Sequence, residues 1–219
     1  MKKIDITKLE NLSKQYKSTS KEDQHVTFEA SRQGGFYVYE KTENADITTS
    51  VSKKDSEIIE ITKTIKNSKD NTTELYTYLP DGTLQMYLKS QNSTTIQNNK
   101  IGEVFVDRYV EVIEKFDTNN LAEVRTNYNA FFEISLQEII TTAEKNSYRD
   151  ISVYRLYLDD DLLTIPVLGL TLENFLREKP YWIIGFREST TTNTFILRIY
   201  DGISGDFIAE QTPTIFSKL

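Results

Sequence analysis

Cysteine is missing from the 219 residues, and histidine and tryptophan occur once each. Without cysteine there is no disulfide, no thiolate nucleophile, no iron–sulfur cluster and no cysteine-ligated zinc. The single histidine, His25, cannot build a His-rich zinc site. As a catalytic base it has neither a cysteine nor a G-x-S-x-G serine to serve, so it reads as a surface residue opening a strand. Glycine is scarce, at 8 residues, and Gly34-Gly35 lacks the Lys and Ser/Thr of a phosphate loop; it reads as a bulge or turn. No run approaches the length of apolar chain that a membrane-spanning helix needs. Met1-Lys2-Lys3 is followed by Ile4-Asp5-Ile6-Thr7-Lys8 and not by an apolar stretch, so no signal peptide is expected in this sequence. Localisation stays open between an intracellular protein and an extracytoplasmic one whose leader has been removed.

What is present favours strands. Hydrophobic residues make up only 38% of the chain, and Thr, Asn, Ser and Gln fill the deficit, yet aromatics reach 11%, with 13 Tyr and 11 Phe. That is too aromatic for a disordered chain, and Thr, Tyr, Ile and Phe suit a half-buried sheet. The net charge of −7 and pI near 5.0 disfavour direct nucleic-acid or anionic-membrane binding. A basic protein partner remains compatible with that charge.

The period of the apolar residues then places the elements. Thr7 and Glu10 have capping-box spacing, with Leu9, Leu12 and Tyr16 on one helical face. Strands follow over His25–Ser31 and Phe36–Lys41, weakly over Ile47–Ser52, and over Glu57–Lys66 with Ile59, Ile61 and Ile65 evenly spaced. Pro80-Asp81-Gly82 joins Thr73–Leu79 to Thr83–Leu88 as a hairpin, with Leu84, Met86 and Leu88 on one face. Residues 90–100 read as a polar loop, where a boundary between subdomains 1–100 and 101–219 is expected. Over 103–116, Phe105, Tyr109, Val112, Ile113 and Phe116 favour a helix, although Val104, Val106, Val110 and Val112 also suit a strand. Leu121, Val124, Tyr128, Phe131 and Phe132 give a second helical stripe. Ser135 and Glu138 open the clearest helix, Leu136–Lys145. Strands return at Ile151–Leu158, Tyr181–Phe186, Thr194–Tyr200 and Phe207–Gln211, with a short helix over Thr171–Glu178 stopped before Pro180. The order predicts an α+β fold: an antiparallel meander with helices packed on one face, in one continuous domain or two subdomains.

No active site stands out. Asp159-Asp160-Asp161 is the one acidic cluster, but counting twelve residues from Asp159 lands on Leu170, so a calcium loop fails and a solvated bend is expected. No metal or cofactor is expected. Paired carboxylates for a hydrolase converge in space and cannot be picked from 33 acidic residues. The strand tyrosines Tyr37, Tyr39, Tyr76 and Tyr78, joined by Tyr87, would form an amphipathic aromatic surface if they share a sheet face, with Trp182 as a further anchor.

Two stretches resemble known families. The helix Leu136–Lys145, the strand Ile151–Leu158, Tyr181-Trp182-Ile183-Ile184-Gly185-Phe186 and the hairpin Leu197–Ile208 resemble a PepSY-type module over residues 134–211, departing from it by an insertion at Asp159–Lys179. The N-terminal half, a helix running into long strands with a hairpin at Glu74–Leu88, is similar in layout to the half-barrel lipoprotein carriers of bacterial envelopes. Both resemblances imply non-enzymatic, extracytoplasmic binding or regulation. The leading expectation is a bacterial or phage binding protein, of envelope or secreted type, that takes a protein, peptide or lipid. The alternative is an immunity or inhibitor protein whose acidic residues (Asp159, Asp160, Asp161, Glu57, Glu60, Glu74) cover a basic toxin or nuclease.

Overall fold

The computed structural model describes residues 3–16, 26–30, 34–117, 119, 121–157, 178–187 and 195–212. They form two compact units: Met1–Gln91 with Val110–Asn127, and Asn92–Tyr109 with Tyr128–Leu219. The chain therefore passes between the units three times.

The first unit begins with α1 (Ile6–Tyr16). Its N-terminus is held by Asp5, whose Oδ1 accepts the Lys8 backbone N–H at 2.9 Å, so Asp5 takes the capping role that the spacing gave to Thr7. Then come β1 (Val26–Ala30), β2 (Phe36–Lys41), β3 (Ala45–Lys54), β4 (Glu57–Asn67), β5 (Thr72–Tyr78) and β6 (Leu84–Gln91). These pair antiparallel in chain order, as short polar turns between alternating strands dictate. Asp55 and Ser56, both at positive φ, close β3 onto β4 in a two-residue turn. In the β5–β6 turn the Asp81 carboxylate accepts both the N–H and the hydroxyl of Thr83. Gly82 has φ of 84°, and a Cβ there would stand 2.6 Å from the Ile4 carbonyl oxygen; only glycine fits.

The second unit carries β7 (Thr94–Asn98), β8 (Gly102–Val106), a 3₁₀ turn (Tyr128–Phe131), α2 (Leu136–Lys145), β11 (Ile151–Tyr157), β12 (Pro180–Arg187), β13 (Phe195–Asp201) and β14 (Phe207–Gln211). The strands order as β14-β13-β12-β11-β8-β7, antiparallel except for β8 beside β11. Between β8 and α2 the chain returns to the first sheet with β9 (Tyr109–Phe116) and β10 (Ala122–Asn127), giving the order β1-β2-β3-β4-β5-β6-β9-β10. Among the described residues the fold is thus mostly antiparallel sheet, in two sheets, with two α-helices.

Three expectations fail. Residues 90–100 are not a loop: β6 runs to Gln91 and β7 occupies 94–98. Residues 103–116 are two strands and 122–127 a third, where helical stripes were expected. The β-branched Val104, Val106, Val110 and Val112 decide this, because the pleat places Val104 and Val106 in the core and leaves Phe105 exposed. A third error lies in register. Shifts at Ser52/Lys53 and Thr77/Tyr78 flip residues across the sheet, so Ile59 is exposed while Ile61 is buried. Leu84 consequently sits opposite Tyr78, on the other face from Met86 and Leu88.

The α2 start matches its sequence. Ser135 Oγ accepts the Glu138 N–H at 3.3 Å, and the Glu138 carboxylate accepts the Ser135 N–H at 2.8 Å. Ile139, Ile140 and Ala143 of this helix share one core with Val104, Val106, Ile151, Val153, Trp182 and Ile184. The opposite face of β12 belongs to a second cluster, Leu156, Tyr181, Ile183, Leu197 and Ile199. Strand β12 is buried through Phe186, as a central strand between two apolar faces must be. His25, Asp159–Asp161 and the segment 171–177 lie outside the described residues.

Candidate functional site

Register fixes which tyrosines meet. Residues paired directly across an antiparallel sheet project to the same face. Phe36, Val51, Ile61 and Tyr78 form one such row, followed by Leu84 on β6; Val38, Thr49, Lys63, Tyr76 and Tyr87 form the next. This is the face on which Leu9 of α1 packs, in a cluster with Phe36, Val38, Val51, Ile61, Tyr78 and Leu84. Tyr37 and Tyr39 lie on the other face. The five tyrosines therefore do not form one surface: the sheet separates Tyr37 and Tyr39 from Tyr76, Tyr78 and Tyr87.

On the helix-bearing face the tyrosines are committed to the fold. Tyr78 is 9% exposed and in the core. Tyr76 stacks beside Tyr78 at 6.5 Å and against Tyr87 at 5.0 Å between centroids. The Tyr76 hydroxyl donates to Glu74 Oε2 at 2.5 Å, while Asn67 Nδ2 donates to Glu74 Oε1 at 3.2 Å. Burial, then the Glu74 carboxylate, holds the Tyr76 phenol well above its ordinary range. Burial and the carboxylates of Glu74, Glu114 and Glu111 push Tyr87 up to about 12. Lys89 pairs with Glu111 at 3.0 Å. The arrangement holds these rings as packed structure, with the Tyr76 hydroxyl bonded to Glu74 and Tyr78 in the core.

The opposite face is chemically different. One row runs Tyr37, Ser50, Thr62, Thr77 and Met86; its neighbour runs Tyr39, Thr48, Thr64, Leu75 and Leu88. All ten residues are half-buried and none is charged. At strand spacing the two rows cover about 19 Å across five strands and lie about 7 Å apart. The next row carries Lys41, Asp46 and Lys66, with Lys41 Nζ 3.9 Å from Asp46 Oδ1, so charge resumes at the margin. Tyr37 and Tyr39 stand at one end with ring centroids 6.4 Å apart and near-parallel planes. Leu75, Met86 and Leu88 stand at the other, with hydroxyl groups between. Sequence reasoning singled out only the tyrosines. The available signal was alternation, since Thr62-Lys63-Thr64 and Leu75-Tyr76-Thr77 place uncharged residues on a single face.

Trp182 is not a surface anchor. It is 3% exposed, its Nε1 donates to the Ile134 carbonyl at 2.9 Å, and its ring meets Phe132 edge-on at 5.3 Å. The Arg155 guanidinium lies 4.0 Å from the Phe132 centroid and 4.2 Å from that of Tyr109, and donates to Asn129 Oδ1 and the Tyr128 carbonyl. That group fastens the 3₁₀ turn to β11. Of the acidic residues, Glu57 and Glu60 are exposed on β4, whereas Glu74 is engaged as described. Asp159, Asp160 and Asp161 lie outside the described residues. Among the described residues no three His, Asp or Glu side chains converge as a metal site requires, and no helix is long and apolar enough to cross a membrane. No protein-family model, no curated protein and no solved structure matches the chain.

Proposed function

We propose that this is a non-catalytic binding protein that engages a protein, peptide or lipid ligand through the Tyr37/Tyr39 face of its eight-stranded sheet. The observation that carries the reading is the uncharged band on that face. In a chain with 27% charged residues, ten neighbouring positions over β2–β6 hold only Tyr, Ser, Thr, Leu and Met. Such a band costs little to desolvate, offers aliphatic contact at one end and rigid aromatic anchors at the other, and keeps its charges at the rim. Hydroxyls between the ends supply hydrogen bonds without the penalty of burying charge. The same class of non-enzymatic binding is what the PepSY-like and carrier-like resemblances imply. The immunity reading rests on Asp159, Asp160 and Asp161, which lie outside the described residues, and on Glu57, Glu60 and Glu74. Of these, Glu57 and Glu60 are exposed on β4, while Glu74 bonds Tyr76 and Asn67.

The test is a screen of an immobilised peptide library and of phospholipid vesicles against the wild type and the Tyr37→Ala/Tyr39→Ala variant. Loss of about tenfold or more in affinity, with the fold retained by circular dichroism, is the expected result. Equal affinity of the two proteins for every probe would refute the reading.

A further inference from the structure

Among the described residues four strands end the two sheets: β1 and β10 in the first, β7 and β14 in the second. An edge strand presents unpaired N–H and C=O groups, and folded proteins blunt such edges with charge, proline or a bulge. Three of these edges carry such protection. Strand β1 contains Glu29. Strand β10 contains Glu123 and Arg125 and breaks register between Ala122 and Val124. Strand β14 contains Glu210 and sits across a register break at Ile199/Tyr200.

Strand β7 has no such device. Thr94-Thr95-Ile96-Gln97-Asn98 pairs with β8 in unbroken register, and it lies within an uncharged run from Ser90 to Asn99 without proline. Among the described residues β7 has no neighbour on its outer side. Thr95, Ile96 and Gln97 are exposed, and Phe105, opposite Thr95 on β8, is 38% exposed.

We propose that the β7 edge pairs antiparallel with β7 of a second copy of this chain, joining two six-stranded sheets about a two-fold axis. Self-complementarity and charge point to this occupant. A register centred on Ile96 sets Ile96 opposite itself, Thr95 opposite Gln97 and Thr94 opposite Asn98, so no charge meets its own image. That matters for copies carrying −7 each. The Glu103 carboxylates on the two β8 strands would be three strand spacings apart and staggered by two residues, about 16 Å in all, beyond the screening length of about 8 Å at physiological salt. Within each chain Gln97 Nε2 already donates to Glu103 Oε1 at 3.2 Å. A two-fold contact also closes, leaving no growing edge.

Sedimentation velocity over a concentration series, on wild type, Ile96→Lys and Val124→Lys, tests the proposal. The wild type and the β10-edge control should show the same monomer–dimer equilibrium, and Ile96→Lys should raise its dissociation constant by at least about tenfold. In the unaltered protein, hydrogen exchange of the β7 amides should slow as concentration rises, a readout independent of how the variants fold. A wild type monomeric at all concentrations, β7 amides indifferent to concentration, or a dimer undisturbed by Ile96→Lys would overturn the proposal. A dimer broken equally by Val124→Lys would do so as well.

Discussion

Tyr78→Ala and Tyr37→Ala remove the same side chain from opposite faces of one sheet, and the register predicts very different costs. Tyr78 is 9% exposed and packs with Ile61, Val51, Phe36 and Leu84, where a void cannot refill with water. Aromatic-to-alanine truncation in such a core costs about 3–5 kcal/mol, the lost transfer energy plus a cavity. For a chain of this length that lowers the melting temperature by about 6 °C or more. Among the described residues Tyr37 pairs with Ser50 on β3 and stacks on Tyr39, so its removal forfeits a cross-strand contact and a ring pair, about 1–2 kcal/mol. Thermal melts and urea titrations followed by far-ultraviolet circular dichroism measure both on one footing. Equal destabilisation by the two variants, or a greater loss for Tyr37→Ala, would refute the assignment of faces.

Other consequences follow from particular residues. Trp182, the sole tryptophan, should emit at short wavelength and resist iodide quenching; Trp182→Phe should cost about 1–3 kcal/mol because the Ile134 carbonyl loses its donor. Water-like emission from the native protein would contradict its place in the core. Burial alone would raise the Asp201 carboxyl, yet Lys179 at 2.7 Å and the N–H groups of Ile203 and Ser204 hold it below the usual carboxylate range. A lowered folded value contributes stability that is present above the unfolded value of about 4 and is lost as pH falls through the folded one. Wild type should therefore lose stability more steeply than Asp201→Asn below about pH 4, and parallel acid limbs would count against it. Ser56, at φ of 72° in the β3–β4 turn, carries left-handed strain of about 1–2 kcal/mol. Glycine there gives back about 0.4–1 kcal/mol as unfolded-state entropy, so Ser56→Gly should stabilise by about 0.5–1 kcal/mol in urea titration, and a loss would contradict the turn.

Several short-range signals in the sequence match the fold, although the Thr7–Glu10 spacing does not, since Asp5 caps α1. The capping box of Ser135 and Glu138, the turn at Pro80-Asp81-Gly82 and the alternation of Ile151–Tyr157 all appear in place. Strands β8 and β9 carry a helical pattern because large aromatic residues fall by coincidence at helical spacing, while the decisive burial of Val104 and Val106 comes from partners on β11 and α2. Strand β7 carries no strand signal of its own, because Ser, Thr, Asn and Gln have no apolar period, and its pairing with β8 supplies what composition does not. The site is hidden by inter-strand register. Which tyrosines share a face is set by pairings such as Tyr37 with Ser50, Ser50 with Thr62 and Thr62 with Thr77, which nothing in the residues marks. The shifts at Ser52/Lys53 and Thr77/Tyr78 move only Ile59 and Leu84. Trp182 likewise reads as an anchor by type and becomes core only once Phe132 and Ile134 close over it.

Methyl NMR of the protein with the peptide or vesicle that binds it examines the face assignment residue by residue. The account predicts ligand-induced shifts at the methyl groups of Leu75, Thr77, Met86 and Leu88 and of Thr48, Thr62 and Thr64. Val38, Val51, Ile61 and Leu84, on the opposite face, should stay where they are. Shifts confined to that second set, or confined to the six-stranded sheet, would contradict the claim that the uncharged face binds.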